Sequence, residues 1–367
     1  MHVPTTTARW ASLILLVTLP CRAADEGPFG GRPADGHGTL TFTDRSDLST
    51  NKEIATRMGW DLAAAESAKV DYTLPDESFE IYVPKTYDGE KPAGLFVYVS
   101  PGPSGKPPKN WLKSMDDHGL IWVSPNKVGN DRFVRPRMGL AIDAAHNMPK
   151  RYKIDPRRIY VAGVSGGGRV ASMLGVGFPD VFTGGGFYMI GCNFYRQERS
   201  AEQDGVFRRS YNVPPTKIYQ LAKRTKHVFL TGDTDGNREQ TQLYYTGFRR
   251  DGFDHSTCLQ VPGMGHRAPD AEWFEKGIAA LEEVIEPKPA SPARTTAATR
   301  PAPARPATTQ SADANAVAKR LLATARLYVD NRQHDLAREK LNWIVQTYPT
   351  TPAAAEARRL LKQLPVK

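Results

Sequence analysis

The chain has 367 residues, 40% of them hydrophobic and 24% charged, with a formal net charge of +10. Those proportions exclude a wholly disordered chain and a polytopic membrane protein, and three cysteines are too few for a disulfide-built scaffold. The positive charge is spread along the sequence without a nucleic-acid-binding motif, so no nucleic-acid partner is expected.

At the start, Arg9 precedes an apolar run from Trp10 to Val17, followed by Pro20 and Cys21-Arg22-Ala23-Ala24. A charged lead, a short apolar stretch and small residues at a cleavage site read as a secretory signal. Residues 1–24 are therefore expected to be removed after Ala23 or Ala24, and the protein to be exported to a periplasm or the cell exterior. Thr18-Leu19-Pro20 is a poor lipoprotein signal ahead of Cys21. No other segment is long and apolar enough for a transmembrane helix. Cleavage leaves Cys192 and Cys258, expected as buried free thiols in a chain with enough core to need no bridge.

Residues 25–73 are polar and weakly periodic, with one strand-like piece at 39–42, and are expected to form an irregular extension packed on the main domain. From 74 to 286 strand and helix signals alternate. Residues 79–83 alternate with period two, as an edge strand would, whereas 95–99 are continuously apolar, as a strand buried on both faces would be. Further strands are expected at 120–123, 159–162, 187–190, 227–230 and 258–261. Helices are expected around 139–147, at 166–176 and at 269–284. This alternation predicts the α/β class, a mostly parallel sheet with helices on both faces. Residues 287–313 are nearly all Pro, Ala, Thr, Ser and Arg and read as a disordered linker. Helical periodicity resumes over 314–367, with a last helix at 351–363.

Within the main domain, Gly163-Val164-Ser165-Gly166-Gly167 lies between the strand at 159–162 and the helix that follows. Glycines flanking a serine at a strand-to-helix corner permit a turn in which a Cβ would clash, and hold the hydroxyl above the sheet. A serine hydroxyl is a weak nucleophile without a base, and the base needs an orienting acid. Two later strands end in loops that carry such groups, Gly232-Asp233-Thr234-Asp235-Gly236-Asn237 and Pro262-Gly263-Met264-Gly265-His266. Both loops follow strand C-termini, the sheet edge that carries Ser165, where active sites of open α/β sheets form. His266 is the expected base. His255 precedes its strand and belongs at the opposite edge, and His118, His146 and His227 lie inside or before elements as surface or core residues. No zinc-site spacing is present, and neither metal nor cofactor is expected.

On these three segments the chain resembles the α/β-hydrolase superfamily over about 78–285, nearest to its secreted feruloyl-esterase and polyhydroxyalkanoate-depolymerase-like branch. The resemblance implies a serine carboxylic-ester hydrolase working through an acyl-enzyme, on feruloyl, acetyl or polyester substrates. In that family a G-x-x-D turn carries the acid, which points to Asp235. Asp233 is the alternative, its other role being to cap the helix beginning near Asn237. Related enzymes carry His-Gly after the third strand, where this chain has Ser100-Pro101-Gly102-Pro103-Ser104. Prolines have no N–H, so Gly102, with Ser104 second, is expected to donate to the oxyanion together with Gly166. Trp111 and Cys192-Asn193-Phe194-Tyr195 are candidates for an aromatic acyl pocket, or equally for core filling. The altered loop and the tail leave open a catalytically silent fold serving as an envelope scaffold. A serine peptidase of the same fold is less favoured, because the stretch before Ser78 is too short for a gating propeller. In the tail, Leu321, Ala325, Tyr328, Ala337, Leu341 and Pro349 resemble one and a half tetratricopeptide repeats, which implies partner binding or self-association.

Overall fold

The computed structural model describes residues 31–63, 71–200, 205–284 and 349–364, with scattered positions between 318 and 345. The chain divides into two compact units, Met1–Glu286 and Pro287–Lys367. The signal-like residues 1–24 and the stretch 287–313 lie outside the described residues. Among the described residues no helix is long and apolar enough to cross a membrane.

The first unit is organised by an eight-stranded sheet. In chain order its strands are β1 (His37–Leu40), β2 (Phe79–Tyr82), β3 (Ala93–Val99), β4 (Leu120–Pro125), β5 (Ile154–Val164) and β6 (Gly185–Met189). After a separate two-stranded ribbon, β7 (Glu198–Arg199) with β8 (Val206–Phe207), come β9 (Lys226–Gly232) and β10 (Ser256–Val261). The spatial order is β1-β2-β4-β3-β5-β6-β9-β10. β2 runs antiparallel to both neighbours, and every pairing from β4 to β10 is parallel.

The apolar run of β3 has its cause in this order, because the strand is covered on both faces. Leu95, Val97 and Val99 enter one hydrophobic core while Phe96 and Tyr98 enter the other. Helices α1 (Asn51–Met58), α3 (Val134–Arg151), α4 (Gly166–Gly177), α5 (Thr216–Ala222) and α6 (Arg238–Arg250) contribute to the first core. Helices α2 (Leu112–His118) and α7 (Ala271–Glu282) contribute to the second. The mostly parallel sheet with helices on both faces is therefore the observed architecture.

Two expectations are corrected, and an alternative left open for three aromatic residues is decided in favour of core filling. β2 is not an edge strand, because β1 pairs with it, His37 opposite Tyr82. The segment before residue 74 is more regular than its weak periodicity implied. It supplies β1 and also α1, where the Thr50 hydroxyl accepts the Glu53 N–H and Ile54 and Met58 are buried. A four-residue strand and an eight-residue helix are too short to show a period. Trp111, Phe194 and Tyr195 are core. Trp111 stacks on Phe274 at 4.1 Å and donates to the Pro269 carbonyl, and Phe194 and Tyr195 pack among Tyr244, Phe248 and Phe253. Cys192 and Cys258 are free, their thiol pKa values pushed up by burial to about 12 and about 11.

The second unit, taken by itself, has a small apolar core of Ala318, Leu322, Ala325, Ala337, Leu341, Ile344, Ala353, Ala354, Ala357 and Leu364. Its last helix, α8 (Pro352–Gln363), is capped by Thr351, whose hydroxyl accepts the Ala354 N–H. Of the repeat-like positions, Ala325, Ala337 and Leu341 are buried and Pro349 is exposed, whereas Leu321 and Tyr328 lie outside the described residues.

Candidate active site

Ser165 stands at the corner between β5 and α4 with φ 53° and ψ −118°, a conformation L side chains rarely adopt. Glycine makes the corner possible. A Cβ on Gly163 would lie 2.3 Å from the Gly167 carbonyl carbon, and one on Gly167 would lie 1.9 Å from the Val99 carbonyl oxygen. Both obstacles are backbone and cannot rotate away. The Ser165 N–H donates to the Met189 carbonyl, which ties the corner to the next strand. Ile190, just beyond, also has positive φ (50°), a costly state for a β-branched residue, so strain is concentrated at this edge.

The three side chains singled out from the sequence meet here. Ser165 Oγ lies 2.8 Å from His266 Nε2, and His266 Nδ1 lies 2.8 Å from Asp235 Oδ1. A carboxylate oxygen only accepts, so Nδ1 carries the proton and Nε2 is left with a lone pair facing the serine hydroxyl. Asp235 is fully buried at its side chain, whereas the His266 ring is 46% exposed. The Asp235 carboxylate also accepts from the Asn237 N–H at 3.1 Å and the Thr231 hydroxyl at 3.2 Å.

Close backbone packing brings acid and base loops together. The Thr234 N–H donates to the Met264 carbonyl, and a Cβ on Gly232 would lie 1.8 Å from that oxygen. The Arg267 N–H bonds the Gly265 carbonyl, a γ-turn that projects His266. Behind the triad, Arg169 on α4 donates to the Cys192 carbonyl and the side chains of Asn193 and Asn237, and Asn237 donates to the Ile190 carbonyl. Four segments distant in sequence are thus laced together.

Asp233, the alternative acid, is exposed and is not brought to His266, and it does not cap the following helix, which has no side-chain cap. The other histidines lie elsewhere. His118 bonds Glu275, His146 meets Lys150 and Asp44, the His255 carbonyl accepts the His227 N–H, and His227 is buried against Tyr188 and Thr225.

Gly102 is corrected as a ready oxyanion donor. Its N–H donates to Ser100 Oγ at 3.1 Å, because a serine hydroxyl two residues back closes a local turn. The Ser104 hydroxyl accepts the Lys106 N–H, a bond that leaves the Ser104 backbone N–H unengaged. Gly166 keeps its donor. It opens α4, where no intrahelical carbonyl reaches the first N–H groups. Asn130, which sequence reasoning missed, lies in the turn after β4 with its carboxamide against Gly166. Its position past the C-terminal end of a parallel strand was the available signal. Thr231 and Asn237 were missed too, since their neighbours offered no reason to single them out. Among the described residues no group of three His, Cys, Asp or Glu side chains is placed to hold a metal ion.

No family model matches the chain. A poly(3-hydroxybutyrate) depolymerase of Ralstonia pickettii is 30% identical over 90 residues, 20% of this chain and only 18% of that protein's length. Similar solved structures include a poly(3-hydroxybutyrate) depolymerase from Bordetella parapertussis, with 18% identity over 56% of this chain and 83% of that one, TM-score 0.41. A feruloyl esterase module from Clostridium thermocellum complexed with sinapinate shows 13% identity over 56% and 81%, TM-score 0.41. A hyperthermophilic esterase from the archaeon Pyrobaculum calidifontis shows 16% over 56% and 79%, TM-score 0.41. Likeness at that level is silent on substrate, and the site stands on its own geometry.

Proposed function

We propose that this chain is a serine ester hydrolase with Ser165 as nucleophile, His266 as base and Asp235 as orienting acid. The observation that carries the reading is the continuous hydrogen-bond path from Ser165 Oγ through the His266 ring to buried Asp235, at a strained glycine-flanked corner. In the first step Oγ attacks the ester carbonyl while Nε2 takes its proton. The Gly166 N–H faces the oxygen that gains charge. The Asp235 carboxylate stabilises the imidazolium, which then protonates the departing alkoxide. Water repeats the sequence on the acyl-enzyme and frees the acid.

The substrate is an ester that reaches an open site. Ser165 is partly exposed and the His266 ring is nearly half exposed, so bulky or polymeric esters have access. The short match to a poly(3-hydroxybutyrate) depolymerase favours a polyester over a feruloyl ester, and the burial of Trp111, Phe194 and Tyr195 removes the case for an aromatic acyl pocket built from them. With the signal-like start, the setting is export to the periplasm or beyond, and the repeat-like C-terminal segment is where a protein partner would bind.

A catalytically silent scaffold is the second reading, favoured by the engaged Gly102 N–H. Hydrolysis of p-nitrophenyl acetate and covalent labelling by a fluorophosphonate, each compared with Ser165→Ala, separate the two. Turnover and labelling that vanish in the variant support the hydrolase. Equal background rates from a folded wild type refute it and leave the scaffold.

A further inference from the structure

We propose that the side-chain amide of Asn130 is the second oxyanion donor, taking the place of the loop after β3. The inference rests on the ester-hydrolase reading of Ser165.

The loop after β3 has lost its first-ranked donor. Pro101 and Pro103 have no N–H, and the Gly102 N–H is held by Ser100 Oγ. Its carbonyls are engaged as well. Ser100 accepts from Arg137 Nη2 at 3.1 Å, Pro101 from the Asn130 N–H at 3.0 Å, and Pro103 from the Lys127 N–H at 2.6 Å. Those bonds hold the loop in a shape that keeps Gly102 turned inward.

The same bonds hold Asn130 in place. Its backbone is tied to Pro101, the Arg132 N–H closes the turn on the Gly129 carbonyl, and the Arg132 guanidinium grips both oxygens of Glu77 at 2.9 and 2.5 Å. Gly129 lets the turn press on the loop, since a Cβ there would lie 3.2 Å from the Gly102 carbonyl carbon. The Asn130 carboxamide therefore reaches across to α4. Its Oδ1, Cγ and Nδ2 lie 1.9, 2.6 and 2.9 Å from where a Cβ on Gly166 would stand. Gly166 is the residue whose N–H faces the developing charge.

Asn130 is exposed, and among the described residues its carboxamide has no hydrogen-bond partner. Half a turn about its last torsion exchanges Nδ2 and Oδ1, so an anion selects the donor face. As Oγ bonds to the carbonyl carbon, the carbonyl π pair moves onto oxygen. The oxyanion accepts from Gly166 N–H and Asn130 Nδ2–H. On collapse the pair returns and the alkoxide leaves with the proton from His266.

The test is steady-state hydrolysis of p-nitrophenyl acetate by the full chain and its Asn130→Ala, Asn130→Asp and Ser165→Ala variants, with thermal melting of each. Loss of one such donor predicts kcat down about 10²-fold in Asn130→Ala with KM within about threefold. Asn130→Asp falls further, because it sets a like charge beside the oxyanion. Melting is unchanged, since the side chain is exposed and bonds nothing. Turnover within about threefold of wild type in Asn130→Ala, beside an inactive Ser165→Ala, overturns the role of Asn130 and leaves the hydrolase standing. Full turnover by Ser165→Ala removes the hydrolase reading, and Asn130 with it.

Discussion

Asp235→Asn is the substitution whose consequence follows most directly from the geometry. Two N–H groups, from His266 and Asn237, point at Asp235 Oδ1, while the Thr231 hydroxyl points at Oδ2. An asparagine keeps its oxygen toward the two N–H donors and turns its NH₂ toward Thr231, whose hydroxyl rotates to accept. The fold and the histidine tautomer then survive, and what disappears is the negative charge beside the imidazolium. With the carboxylate buried and the ring half exposed, an effective dielectric near 20 applies, and charges ~4 Å apart interact by about 4 kcal/mol. That energy corresponds to roughly a 10³-fold fall in kcat/KM. The assay is p-nitrophenyl acetate hydrolysis under both saturating and limiting substrate, with urea unfolding to verify the fold and Asp233→Asn as the matched control. A loss below about tenfold in Asp235→Asn, or an equal loss in the control, would falsify the assignment of the acid.

Three further outcomes concern the frame around the site. Gly167→Ala places a methyl 1.9 Å from the Val99 carbonyl oxygen, so denaturant unfolding is expected to show a loss of about 3 kcal/mol or more, and a loss under about 1 would refute the steric argument. Tyr72 donates at 2.5 Å to Asp143, a buried carboxyl whose pKa burial raises and which also accepts the Ser46 N–H. Tyr72→Phe should cost about 2 kcal/mol in a urea titration, and an unchanged midpoint would mean the bond contributes nothing. His227 is buried with its pKa lowered by desolvation to about 4, against 6.5 when exposed. The unfolded chain therefore binds the extra proton between those values, so this stability is complete above pH 6.5 and drains away as pH falls toward 4, about 3 kcal/mol in all. Urea midpoints at pH 7 and pH 4.5 should differ less in His227→Gln than in wild type, and identical differences would rule out His227 as the source.

Much of this protein is written locally. The continuous apolar run of β3 announces two covered faces, and the observed alternation of Leu95, Val97 and Val99 against Phe96 and Tyr98 is that statement in three dimensions. The glycines about Ser165 announce a corner through the crowding of Gly163 on Gly167, four residues apart, although the crowding of Gly167 on Val99 is a tertiary contact. The site was legible as far as chain order and sheet edge allow. Ser165, an aspartate and His266 each follow a strand that ends on one side of the sheet.

The sequence by itself determined most strands of the sheet, the burial of β3 on both faces and the edge that carries the serine, since these follow from side-chain period and backbone sterics within a few residues. Tertiary structure alone decided the rest. It set Asp235 rather than Asp233 against the histidine, by packing the Gly232 loop on Met264. It sent Trp111, Phe194 and Tyr195 into the core, turned the Gly102 N–H onto Ser100, and laid Asn130 over Gly166. Each of those outcomes except the Ser100–Gly102 turn is a meeting of groups tens of residues apart, and that turn is held by bonds from Lys127, Asn130 and Arg137. No local pattern records which loops will touch, because the answer depends on how the whole sheet orders its strands.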